Sequence, residues 1–166
     1  VALVSADATV RFDVRDSGGA SRGTFQQAIL GTSGNDGALG AITVAGVGAI
    51  GSTGIYINGG AGNDAITGTA NADFLEGGAG DDTVTTAGGN DTVLGGAGND
   101  SITHTVGGLV NIDGGAGNDV VTVTGQLNAT GLANTRDTLA GGAGTDSLAA
   151  NIADLTAAAA PSTGEA

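Results

Sequence analysis

Apolar residues in the second half of the chain fall neither at helical spacing nor in long alternating runs; a large aliphatic recurs at one fixed position of nearly every block of nine. Counted from Gly59, the blocks begin at 59, 68, 77, 86 and 95 and, after one extra residue at His104, at 105, 114, 123, 132 and 141. The eighth position reads Ile66, Leu75, Val84, Val93, Ile102, Ile112, Val121, Thr130, Leu139 and Leu148, with a single polar exception. The sixth reads Asp64, Asp73, Asp82, Asp91, Asp100, Val110, Asp119, Asn128, Asp137 and Asp146. Two positions of opposite chemistry kept in one frame over this length mark a true repeat, which an acidic low-complexity segment would not sustain. Side chains alternate along a strand, so the spacing predicts short strands that each turn one aliphatic inward, joined by Gly- and Asp-rich turns.

The units beginning at Gly59, Gly77, Gly95, Gly114 and Gly141 carry the whole pattern G-G-x-G-x-D-x-U-x, where U is a large aliphatic. Over residues 59 to 149 the sequence resembles the RTX (repeats-in-toxin) family of calcium-binding repeats. That resemblance implies an all-β fold, a right-handed parallel β-roll or β-solenoid, in which two units make one coil and successive turns alternate between opposite edges. It also implies calcium between neighbouring turns of an edge, held by aspartates and backbone carbonyls. Glycines suit such turns because no Cβ keeps the carbonyls apart, and calcium takes six to eight oxygen ligands at about 2.3–2.6 Å.

On that resemblance the expected ligands of one edge are Asp64, Asp82, Asp100, Asp119 and Asp137. The other edge is expected to carry Asp73, Asp91, Asn128 and Asp146, with a gap at Val110. Carbonyls are expected from Gly59, Ala61, Gly77, Ala79, Gly95, Ala97, Gly114, Ala116, Gly141 and Ala143. About four to six calcium ions follow from the ligand count the ion demands.

Residues 1–58 do not hold the frame and are expected to form a strand-rich cap or an assembly segment. Thr9 to Val14 alternates as a half-buried strand would, Gly23 to Gly31 reads as a short helix closed by glycine, and Ile42 to Val44 and Ile55 to Ile57 read as strands. A degenerate unit at 31–39 puts Asp36 in the ligand position, so the roll is expected to begin either there or at Gly59. Residues 59–149 are the β-roll proper, and 150–166, with its alanine run before Pro161, a carboxy-terminal cap or tail with one short helix.

Composition sharpens this picture. The chain has 166 residues with 34 glycines and one proline, without glycine at every third position as in collagen. Its formal net charge is −13, from 17 acidic residues and four basic ones, all arginine. Nucleic acid is therefore excluded as a partner, and the carboxylates repel one another unless cations lie between them. With no cysteine, neither disulfides nor thiolate metal sites are available. No apolar run is long enough to span a membrane, and Val1 to Ser17 lacks the pattern of a cleavable signal, so an export signal is expected to have been removed or to lie elsewhere. The tail has no obvious match to a long carboxy-terminal export region, which suggests a processed piece or a fragment.

The chain does not read as an enzyme. His104 is the only histidine, which rules out an H-E-x-x-H zinc site; it reads as the inserted loop residue at the frame slip. There is no G-x-S-x-G elbow and no phosphate loop, and the adjacent Asp81 and Asp82 belong to repeat positions without aromatic platforms for a sugar. Arg11, Arg15 and Arg22 read either as ordinary solvated residues or as a patch that meets the acidic roll of a neighbouring copy. Two functions remain. One is a secreted structural protein, extracellular or at the cell surface, whose composition resembles bacterial S-layer proteins, with other copies of itself or a surface polysaccharide or matrix as partners. The other is a calcium-responsive folding and secretion module of a larger type I secreted toxin or hydrolase.

Overall fold

The computed structural model of the protein describes residues 2–4, 12–15, 18–25, 27–37, 54–105, 108–124 and 138–150. Four strands precede the full repeats: β1 (Ala2–Val4), β2 (Phe12–Arg15), β3 (Ser21–Phe25) and β4 (Gln27–Leu30). Ten more follow: β5 (Ile55–Ala61), β6 (Ala65–Thr67), β7 (Phe74–Ala79), β8 (Thr83–Thr86), β9 (Asp91–Ala97), β10 (Ser101–His104), β11 (Val110–Ala116), β12 (Val120–Val123), β13 (Thr138–Ala143) and β14 (Ser147–Ala150). They build two facing sheets, one ordered β1-β4-β5-β7-β9-β11-β13 and the other β14-β12-β10-β8-β6, while β2 and β3 form a separate hairpin. β1 pairs antiparallel with β4, but every pairing among β4 to β14 is parallel, so the chain alternates between the sheets as a parallel β-roll.

The register explains the nine-residue period. Ile57, Leu75, Val93, Ile112 and Leu139 stand opposite one another in the first sheet, and Ile66, Val84, Ile102, Val121 and Leu148 do so in the second. From Ile57 to Ile112 and from Ile66 to Val121 these columns are buried and form one core. Full burial of one aliphatic contributes about 1.5–3 kcal/mol, whereas ordering a residue's backbone costs about 1–2 kcal/mol. One such side chain per nine residues is too little to hold so glycine-rich a chain.

Three expectations change. Gly23 to Gly31 is not helical: β3 pairs with β2, and β4 lies parallel to β5, where Ala28 and Ile29 are both buried. Tertiary pairing outweighs the local helical pattern. His104 is not an inserted loop residue but ends β10, opposite Thr86 and Val123, and is 1% exposed. Its Nδ1 lies 2.7 Å from the equally buried Thr86 Oγ1. The extra residue falls after it, because Leu109 already bonds to Asn90 at a separation of 19. Arg22 is not simply solvated but sits 5.3 Å above the Phe74 ring and 3.6 Å from Glu76, whereas Arg15, paired with Asp13 at 2.6 Å, stays exposed as a solvated surface residue would.

The hairpin packs on the outer face of the first sheet. Phe25, Tyr56 and Phe74 follow one another at centroid distances of 6.0 and 5.9 Å. Tyr56 donates its hydroxyl to Glu76 at 2.5 Å, and Asn58 donates to the same carboxylate oxygen at 2.7 Å. The expected strand Ile42 to Val44 and the helix after residue 150 lie outside the described residues, as do Arg11 and Arg136.

Ile102 is fully buried, whereas Val120 on the outer face is 43% exposed. Ile102→Ala is expected to destabilise the roll by about 2–5 kcal/mol, and Val120→Ala by no more than about 0.5 kcal/mol. Urea unfolding at saturating calcium measures the difference; equal effects would contradict the core assignment.

Candidate metal sites between stacked turns

The turns at the first edge, which lead from the first sheet into the second, are 31–36, 59–64, 77–82, 95–100, 114–119 and 141–146. Each places its sixth-position aspartate over that of the next coil. Oδ1 of Asp64 accepts the amide of Asp36 at 2.7 Å, Oδ1 of Asp82 that of Asp64 at 2.8 Å, and Oδ1 of Asp100 that of Asp82 at 2.8 Å. Asp119 and Asp146 continue the ladder at 2.9 and 3.0 Å. Asp146 therefore belongs to the first edge and not to the second, because β12 and β14 are 27 residues apart where the coils from Asp64 to Asp119 are 18 or 19. It stands in the place expected of Asp137, which lies outside the described residues together with Asn128.

One carboxylate oxygen is thus satisfied and the other is not. Oδ2 of Asp64, Asp82, Asp100 and Asp119 is buried without a hydrogen-bond partner, and these residues are only 1–3% exposed. An unpartnered buried acceptor costs about 1–3 kcal/mol, and more when it is charged. Each of the four faces a backbone oxygen across the space left by a glycine. A Cβ on Gly59 would collide with Asp64 Oδ2 and with the carbonyl of Gly77, and Gly77 stands in the same relation to Asp82 and Gly95. The pattern repeats at Gly95 with Asp100 and Gly114, and at Gly114 with Asp119 and Gly141. At Gly141 the space meets Asp146 alone. Two acceptors facing each other with no donor between them fit a hard cation and little else.

Among the described residues no three side chains of the Asp, Glu, His or Cys type gather at one point. A cation here would take its remaining ligands from the backbone. The carbonyls of Ala79, Ala97, Ala116 and Ala143 accept the amides of Gly62, Gly80, Gly98 and Gly117 at 2.7–2.8 Å, and each keeps a second lone pair. Ala61 gives its amide to the Thr32 carbonyl at 3.1 Å.

The second edge is poorer. Its sixth-position column runs Ile55, Asp73, Asp91 and Val110, and both apolar members are buried. Asp73 accepts the Ile55 amide at 2.8 Å, and Asp91 the Asp73 amide at 3.0 Å. Asp91 Oδ2 is orphaned like those of the first edge. A further ladder at the fifth position runs in the opposite sense: Asn35, Asn63, Asp81, Asn99 and Asn118 each accept the amide of the following coil at 2.7–3.0 Å. The fifth-position Asn or Asp of the G-G-x-G-x-D units was the sequence signal for it.

Burial pushes the Asp91 carboxyl up to about 7 and that of Asp100 up to about 6, and it also raises those of Asp73 and Asp82. The acid of the preceding coil adds repulsion at Asp82, Asp91 and Asp100. The metal-free fold thus holds protons that the unfolded chain, with aspartate at its ordinary value of 3.8, releases. The resulting stability is fully present below that value and is lost as pH rises through about 6 and about 7. In chelator, circular dichroism is expected to show more β structure at about pH 5 than at about pH 8. No gain on acidification would contradict the buried carboxylates.

A family model described as the RTX calcium-binding nonapeptide repeat matches the chain in four copies, at residues 56–75, 67–102, 108–124 and 134–153. No curated protein and no solved structure matches it. Stacked G-G-x-G-x-D turns, parallel pairing and the matched repeats agree, and the chain belongs to the RTX calcium-binding nonapeptide repeat family.

Proposed function

We propose that this chain is a secreted structural roll that orders on binding calcium along its first edge and then associates with further copies of itself. The observation that carries the reading is the line of four buried, unpartnered Oδ2 atoms on Asp64, Asp82, Asp100 and Asp119, each facing a carbonyl of the next coil. Their ligand sets are Asp64 with the Gly77 carbonyl, Asp82 with that of Gly95, Asp100 with that of Gly114 and Asp119 with that of Gly141, supplemented by carbonyls of Ala61, Ala79, Ala97, Ala116 and Ala143. Gly59 leaves room for the first of these sites. Bound there, calcium supplies positive charge between stacked acids and replaces the missing hydrogen-bond donors. The chain's own part is to hold Oδ1 on the neighbouring amide, which fixes each Oδ2 toward the gap.

Binding to the ordered state alone makes stability depend on calcium by mass action. That suits a protein made in a calcium-poor compartment and used outside it. The end of the aliphatic columns supports association between copies: Leu148 is 57% exposed and, among the described residues, no strand pairs beyond β13 and β14.

Asp82→Ala is expected to destabilise the calcium-loaded roll by about 1.5–3 kcal/mol, the range for contacts to an ionised group. Asp154→Ala, outside the repeat frame, should leave the calcium-induced circular dichroism signal unchanged; equal effects would refute the ligand assignment. Electron microscopy at millimolar calcium should show polymers that chelator disperses. Monomers in both conditions would end the structural reading.

A further inference from the structure

Two turns solve the carboxylate problem differently. In turn 31–36 the Thr32 amide donates to Asp36 Oδ2 at 2.6 Å, and the Thr32 hydroxyl lies 3.2 Å from Oδ1. In turn 68–73, at the opposite edge, the Thr69 amide donates to Asp73 Oδ2 at 2.5 Å, and its hydroxyl lies 2.9 and 3.1 Å from the two oxygens. Each hydroxyl also accepts the amide two residues on, at 3.2 Å from Gly34 and from Asn71. The same arrangement thus arises twice, at both edges of the roll, wherever threonine takes the second position of a unit that keeps its aspartate.

The turns with orphaned acids at the first edge have glycine there instead. Gly60, Gly78, Gly96 and Gly115 hold φ between +103° and +120°. A β-branched residue does not adopt that backbone, so threonine requires another turn geometry, with its amide facing the acid. A carboxylate is acceptor-only, and one whose two oxygens each already face a donor, as in Asp36 and Asp73, has no need of a cation.

We infer that threonine takes the place of calcium in turns 31–36 and 68–73, so that Asp36 and Asp73 are not metal ligands and the first coil closes without an ion. This rests on the proposed calcium sites of the other turns. It reassigns two of the aspartates expected to bind metal and sets the first-edge ion count at the four gaps between Asp64 and Asp146. It also explains why ion-free closure collects around β5: the Ala61 amide bonds to the Thr32 carbonyl, and the Ile55 amide to Asp73. The same strand carries Tyr56 and Asn58, which bind Glu76. Calcium-dependent ordering would then proceed from a coil that needs no calcium.

The inference yields a gain-of-site variant. Thr32→Gly restores G-G at the head of turn 31–36, and the Gly59 carbonyl already faces the Gly31 space beside Asp36 Oδ2, as that of Gly77 does one coil later. Bound calcium is counted by isothermal titration and by flow dialysis, with folding followed by circular dichroism. Thr32→Gly is expected to bind one ion more than the parent. Asp36→Asn, which keeps acceptor oxygen for Thr32 but loses the charge, is expected to bind the same number as the parent, whereas Asp82→Asn binds fewer. A loss of one ion in Asp36→Asn, or an unchanged count in folded Thr32→Gly, overturns the inference; should Thr32→Gly not fold, Asp36→Asn decides alone. A parent chain that binds no calcium would defeat the proposed function instead.

Discussion

The constraint on which the structure depends is the stacking of like charges. Parallel coiling with near-identical turns puts each aspartate against the next along an edge, and the fold buries those of the middle coils, Asp64, Asp73, Asp82, Asp91, Asp100 and Asp119, to 1–3% exposure. Burial and mutual repulsion both disfavour ionised carboxylates. The molecule answers with a neighbouring amide for every Oδ1 of the first-edge line from Asp64 onward and with threonine at Asp36 and Asp73, and it leaves the Oδ2 atoms of Asp64, Asp82, Asp100 and Asp119 without a hydrogen-bond donor. The thin aliphatic core is secondary to this, since it fixes which coil stacks on which and adds too little burial to hold the stack alone.

Much of this was legible in the sequence because a solenoid translates linear spacing directly into spatial stacking. Asp64, Asp82, Asp100 and Asp119 fall where counting in nines places them, and so do the aliphatics from Ile66 to Val121. Counting fails where a coil changes length. The frame assigns Asp146 to the wrong edge because it cannot register that one coil spans 27 residues, and it misreads His104 because the insertion lies a few residues further on. A buried histidine beside a buried threonine depends on cross-strand contact, which linear spacing does not encode.

The amino-terminal strands show the other limit. Ala28, Ile29 and their neighbours carry a helix-compatible pattern, yet they join the roll's own sheet because an existing parallel edge at β5 offers both hydrogen bonds and an apolar face. The aromatic contacts of Phe25, Tyr56 and Phe74 come from three separate strands, and the carboxylate of Glu76 ties them to Arg22. Such a cluster has no period, so nothing in the repeat frame announces it.

The two side-chain ladders point in opposite directions along the stack, fifth-position groups accepting from the coil after and sixth-position aspartates from the coil before. Every interior turn of the first edge, from 59–64 to 114–119, is therefore clasped from both sides, and separating any two of these coils breaks both ladders at once. A roll built this way behaves as a one-dimensional chain of strongly coupled neighbours, for which a boundary costs more than an added coil. Order would spread along it as a moving front, and the natural place for partial disorder is an end, never the middle.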